Sequence, residues 1–194
     1  MSDSDRMVRW SPFIKEAARR FRVPETWIRA IVMIESGGRT MLGENRPMTS
    51  SAGAMGLMQV MPQTWAQMRH TYRLGADPYD PRDNILAGTA YLQLLFRQYG
   101  YPALFAAYND GPGMLEAHRR MRQFMPTETT AYVLDIARIL STGVRRNPRL
   151  AIGAPGSESN GSPVQAAAGA VIVIPSTPQR EPGENNDSDE VEEH

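Results

Sequence analysis

A glutamate that closes an apolar helix is placed to do acid chemistry. Glu35 lies in MIESGG, after Ile31, Val32 and Ile34 and before Gly37-Gly38. Partly apolar surroundings disfavour an ionised carboxylate and raise its pKa, so such a group holds a proton near neutral pH and can donate it. Downstream, SAGAMGLMQVMP at 51–62 forms neither an amphipathic helix nor an alternating strand. Its three methionines, two glycines and lone glutamine answer some demand other than regular packing. Other chemistries lack their residues. There is no cysteine, and His70, His118 and His194 lack the spacing of a helical zinc site. No glycine-rich phosphate loop is present, so neither a metal nor a nucleotide cofactor is expected.

The elements that must hold these residues are marked by proline and glycine. Ser11-Pro12 predicts a helix start, with Ser11 as N-cap, before Phe13, Ile14, Ala17, Ala18 and Phe21. Pro24 opens a second helix with Trp27, Ile28, Ile31 and Val32 on one face, and Gly37-Gly38 stops it just beyond Glu35. Pro62 starts a third through Trp65 and Met68, and Asp80-Pro81 a fourth, closed by Gly100. Inside the fourth, Gly88 suggests close packing. Pro102 begins a short apolar segment, and Thr127 caps a last helix running through Leu140 and stopped by Gly143. At most a short ribbon of strand is expected, within 40–54. Helices joined by short loops predict a compact all-α domain over 10–146.

Composition changes after that. Residues 147–194 are rich in glycine, proline, serine and acids, and read as a disordered tail. Within it AVIVIP is the one apolar run, a candidate for strand addition to a partner. Net charge is zero, yet residues 1–150 hold 20 Lys+Arg against 13 Asp+Glu, while 151–194 hold 1 against 8. The body is +7 and the tail −7. A basic body favours an anionic polymer, whether nucleic acid, membrane surface or acidic glycan. The first residues contain no apolar run long enough for a secretory signal, and no segment is long enough to span a bilayer.

Five segments in order carry a resemblance: IES at 34–36, SSAGAMGLMQVMP at 50–62, DPRDNILAGTAYL at 80–92, AAYNDGPG at 106–113 and ETTAYV at 128–133. Together they resemble the successive motifs of soluble lytic transglycosylases, over about residues 10–142. The resemblance implies an all-α fold similar to goose-type lysozyme and cleavage of peptidoglycan glycan strands. It implies that Glu35 is the catalytic acid. Ser50 and Gln59 are then expected to contact the N-acetyl and hydroxyl groups of the sugar, and Met61 to line the groove. Tyr108 is expected near Glu35, able to hydrogen-bond its carboxyl, with Asn109 framing the subsite. Glu128 and Tyr132 correspond to residues lining the same cleft. On this reading Gly53 and Gly56 let backbone approach the glycan closely, while Met55 and Met58 fill the core.

The resemblance also implies a one-carboxylate mechanism. Glu35 protonates the bond between N-acetylmuramic acid and N-acetylglucosamine, then takes a proton from the muramic 6-hydroxyl as a 1,6-anhydro ring closes. Asp77, Asp80, Asp83 and Asp110 stay open as a second carboxylate, as does Glu44. Asp110 stands where the family pattern often has alanine, and the 14 residues between Glu35 and Ser50 exceed the usual spacing. Rival expectations are a hydrolytic muramidase of the same fold and an idle glycan-binding module. A periplasmic or envelope location, a monomeric state and recruitment through the tail by a secretion-system or flagellar protein complete the expectation. Nucleic acid is not an expected partner.

Overall fold

A computed structural model describes the backbone of residues 3–146 and the side chains of 5–142. The expected tail, AVIVIP included, lies outside the described residues. Within them the order is α1 (Asp3–Arg9), α2 (Ser11–Phe21), α3 (Glu25–Ser36), β1 (Met41–Gly43), β2 (Arg46–Pro47), α4 (Pro62–Tyr72), α5 (Pro81–Tyr99), α6 (Ala103–Asp110), α7 (Pro112–Met121) and α8 (Thr127–Arg146). β1 and β2 pair antiparallel as a small ribbon. The all-α architecture follows from the punctuation. Prolines occupy the first turn of α4, α5 and α7, where a missing N–H costs nothing. Asp80 caps α5 by accepting from Asp83 N, and Gly37 ends α3 in the left-handed region at φ 60°.

α5 is the axis of the core, packed by α2, α4 and α6. Residues 84–90 are all buried, so the middle of this helix has no solvent face. Gly88 is required there, because a Cβ would stand 2.7 Å from Met58 Sδ. Ile14, Ile28, Ile31, Leu86, Leu92, Leu104 and Phe105 fill the space around it. α3 and α6 both pack on α8, which brings the end of α3 against residues almost a hundred positions later.

Four local features depart from the sequence reading. α1 precedes the first expected helix, separated from α2 by Trp10 alone. Ser11 is therefore not an N-cap: it is already helical, and its hydroxyl donates to Met7 O at 3.3 Å. α7 forms over Pro112–Met121, where the sequence reading placed no helix, since proline at its first turn is compatible with one. α8 runs through Gly143 to Arg146, because a single glycine weakens a helix without ending it.

Candidate active site

The segment 48–60 is irregular because three helices peg it by its backbone. Met55 and Val60 exchange two 3.0 Å hydrogen bonds, and Gly56 N donates to Met48 O at 2.8 Å. From α5, Asn84 accepts from Met58 N at 2.8 Å and donates to Met55 O and Pro78 O, both at 2.9 Å. From α3, the Ser36 hydroxyl lies 2.9 Å from Leu57 O. From α6, Tyr108 Oη donates to Met58 O at 2.8 Å. Buried polar atoms demand such partners, so these bonds fix the loop firmly.

This geometry corrects the expected role of Gly56. It is buried, and a Cβ there would lie 2.4 Å from Asn84 Nδ2. The glycine makes room for the asparagine, not for a ligand. Gly53, at φ 86° with nothing within 4 Å, serves an open turn. Met58 is fully buried, and Met55 packs against the core. Gln59 sits at φ 47°, unusual for a residue with a Cβ, and its Nε2 donates to Gly56 O at 2.8 Å.

Glu35 occupies the last turn of α3, half-buried, with Tyr132 of α8 donating to its Oε1 at 2.6 Å. Burial raises the carboxyl from 4.5 to about 7, with the Tyr132 hydrogen bond pulling the other way. Burial, the charge of Glu35 and that hydrogen bond together hold the Tyr132 phenol well above its usual value, so it remains a donor. The phenol expected to bond the carboxyl was Tyr108. Tyr108 is spent on Met58 O, and Tyr132 takes that place. Tyr108 still lies within the field of Glu35: burial first, and then that charge, raise its pKa well above normal.

Beside Tyr108 opens a cavity of about 270 Å³, with Gln59, Met61, Tyr91, Asn109 and Asp110 among its lining. Met61 is 45% exposed, an apolar lip on the rim. Of the expected residues, Gln59, Met61, Tyr108 and Asn109 meet here, and Glu35 and Tyr132 meet each other. Tyr108 joins the two groups. Ser50 is not among the lining residues, and its hydroxyl accepts from Ala54 N at 3.0 Å to close the turn. Glu128 is exposed on the first turn of α8, one turn before Tyr132, and is likewise absent from the lining.

Asn84 and Tyr91 escaped the sequence reading. Both sit in α5, where the apolar periodicity reads simply as core. Tyr91 lines the cavity 5.6 Å from the Tyr108 ring, and burial lifts its phenol to about 12. Among the candidate second carboxylates, Asp77 accepts from Tyr79 N, Asp80 from Asp83 N and Asp83 from Gly75 N. Glu44 is exposed in the turn of the ribbon. Asp110 alone of this set lines the cavity. Among the described residues no group of three or more His, Asp or Glu is placed to hold a metal ion.

The raised pKa of Glu35 has a measurable sign. The folded state binds its proton up to about pH 7, whereas the unfolded chain releases it near 4.5. Stability is therefore full below pH 4.5 and falls as pH rises to 7, by about 3 kcal/mol for this group. Glu35→Gln removes the titration, so its melting temperature relative to the parent should climb between pH 4.5 and 7.5. A pH-independent difference in thermal melts would contradict the raised pKa.

Comparison with known proteins gives a consistent picture. The family profile described as Transglycosylase SLT domain matches residues 12–131. The chain is 38% identical over 101 residues to the soluble lytic murein transglycosylase of Escherichia coli K12, covering 47% of this chain and 14% of that protein. It is 33% identical over 158 residues to the membrane-bound lytic murein transglycosylase C of Haemophilus influenzae, 69% of this chain and 41% of that one. The chain thus spans a minor part of the length of these relatives. The fold matches an inactive mutant of the lytic transglycosylase Slt from Pseudomonas aeruginosa with TM-score 0.59 and 25% identity, covering 75% of this chain and 25% of that chain. The 70 kDa soluble lytic transglycosylase of Escherichia coli matches with TM-score 0.59 and 26% identity, covering 70% and 24%. Among the described residues no helix is long and apolar enough to cross a membrane.

Proposed function

Because this chain belongs to the transglycosylase SLT domain family, we propose that it is a lytic transglycosylase cleaving peptidoglycan between N-acetylmuramic acid and N-acetylglucosamine. The observation that carries this reading is Glu35, a half-buried carboxyl raised to about 7 and held by the Tyr132 hydroxyl. With that pKa, about half of the molecules hold the proton at pH 7, against well under one per cent for a solvated glutamate. Glu35 is thus equally able to give and to take a proton near neutrality, as one residue serving in turn as acid and base requires.

The steps balance around that single group. Glu35 gives its proton to the glycosidic oxygen as the bond to muramic C1 breaks, and the released strand leaves with a new hydroxyl. The acetamido oxygen of the substrate stabilises the cationic carbon. Glu35, now a carboxylate, takes the proton of the muramic 6-hydroxyl while O6 bonds to C1. The 1,6-anhydro ring closes, no water is consumed, and the acid is regenerated. Tyr132 keeps the carboxyl oriented through both transfers, and the cavity beside Tyr108 holds the neighbouring sugar through Gln59 and Asn109. Ser50 and Glu128 contribute to the same cleft in this reading.

The chain acts in the periplasm or cell envelope, as a monomer, with the tail recruited by an envelope-spanning machine such as a secretion system or flagellum; the −7 charge after residue 150 supports that last assignment. The decisive experiment is mass spectrometry of fragments released from sacculi. Anhydro-muropeptides, each lighter by one water than a hydrolytic fragment, are the expected product. Reducing-end fragments would replace this mechanism with hydrolysis by a second acid.

A further inference from the structure

Asp110 is the last residue of α6. One of its carboxylate oxygens, Oδ2, is buried and has no hydrogen-bond partner among the described residues. The ordinary uses of an aspartate at this point are absent. The cap of α7 is Gly111, and no side-chain hydrogen bond closes that helix end. No cation among the described residues pairs with Asp110, whereas Asp77, Asp80 and Asp83 each hold a backbone N–H. A buried, unsatisfied carboxylate oxygen weakens the folded state, so a structural role is served better by asparagine or alanine.

The surroundings say what the carboxylate is for. Asp110 lines the cavity beside Asn109, whose amide makes no hydrogen bond among the described residues, and with Gln59, Thr64, Tyr91 and Tyr108, of which Gln59 Nε2 and Tyr108 Oη already donate to Gly56 O and Met58 O. A carboxylate only accepts hydrogen bonds, whereas an amide both donates and accepts. A sugar hydroxyl fits this pair, sending its proton to the carboxylate while its lone pairs receive amide N–H groups, and a charged acceptor makes the stronger bond. Resting on the reading of this cleft as a glycan site, we propose that Asp110 contacts the substrate directly through Oδ1, the oxygen that is not shut off from solvent, accepting a hydrogen bond from a hydroxyl of the sugar seated beside Tyr108. It is then a specificity residue that the fold carries at its own expense.

The test separates this claim from the assignment of Glu35. Binding of the β-1,4-linked pentamer of N-acetylglucosamine is measured calorimetrically on Glu35→Gln protein, with and without Asp110→Asn or Asp110→Ala, alongside thermal melts. Both Asp110 variants should bind about tenfold more weakly, the scale of one hydrogen bond to a charged group, while melting at the same or a higher temperature. Unchanged affinity, a clearly lowered melting temperature, or no pentamer binding even with Asp110 intact would each overturn the proposal. Should the parent chain fail to cleave sacculi while the affinity contrast persists, the acid assignment falls and Asp110 stands.

Discussion

Glu35→Gln is expected to lower peptidoglycan turnover by at least about a thousandfold while sacculus binding stays within a few fold. The amide keeps the shape of the carboxyl and can still accept from Tyr132 Oη, so the site should hold its geometry. It cannot donate an ionisable proton. General acid–base contributions of about 10²–10⁴ are usual, and in the proposed mechanism one group performs both transfers, so the upper part of that range is expected. No neighbour stands in for it: Tyr132 and Tyr108 are phenols whose pKa values burial raises further, and neither gives up a proton near neutrality. Anhydro-product formation from purified sacculi, followed by chromatography, is the measurement. Retention of a tenth or more of parental turnover would refute the assignment. Because the variant should be the more stable protein above pH 7, unfolding does not explain the loss.

The second large effect concerns Asn84, which touches no substrate. Asn84→Ala deletes three hydrogen bonds at once and leaves Met58 N and Pro78 O without their partner, while Met55 O keeps its bond from Val60 N. An abandoned buried group costs about 1–3 kcal/mol; with Met58 N buried and Pro78 O only partly so, a loss of about 2–4 kcal/mol is expected. The side chain also props the turn that carries Gln59, and Met58 O is where Tyr108 is anchored. Activity should therefore fall even at temperatures where the variant remains folded. Urea unfolding together with a turnover assay at 20–25 °C checks both arms. A cost below about 1 kcal/mol would mean that the loop is held by its own turns.

Sequence periodicity exposed most of the helices because proline and glycine mark their ends, as at Pro24, Gly37, Pro62, Pro81 and Gly100. It exposed Glu35 because the residue follows an apolar stretch directly. It hid what depends on contacts between distant elements. Asn84 sits in NILAGTA, a run whose burial on every side cannot be distinguished from one-sided burial in one dimension. The exchange of roles between Tyr108 and Tyr132 has the same origin. Tyr108 was expected near the acid and Tyr132 along the same cleft, and only the docking of α8 on α3 decides which reaches the carboxyl. Asp110 was visible as a departure from the family pattern, but its missing partner is a fact of three-dimensional packing. α7 was masked by a Gly-Pro-Gly that ordinarily signals a turn.

The ribbon between Glu35 and the pegged loop leaves the chain with room to diversify. Residues 41–47 are exposed throughout, and the ribbon rejoins the body where Met48 N meets Thr40 O at 2.9 Å. Added length here emerges into solvent and returns at the same point, so the acid and the pegged turn keep their register whatever the detour contains. Changes confined to residues 41–47 therefore leave untouched the hydrogen bonds that hold Glu35 and the pegged turn.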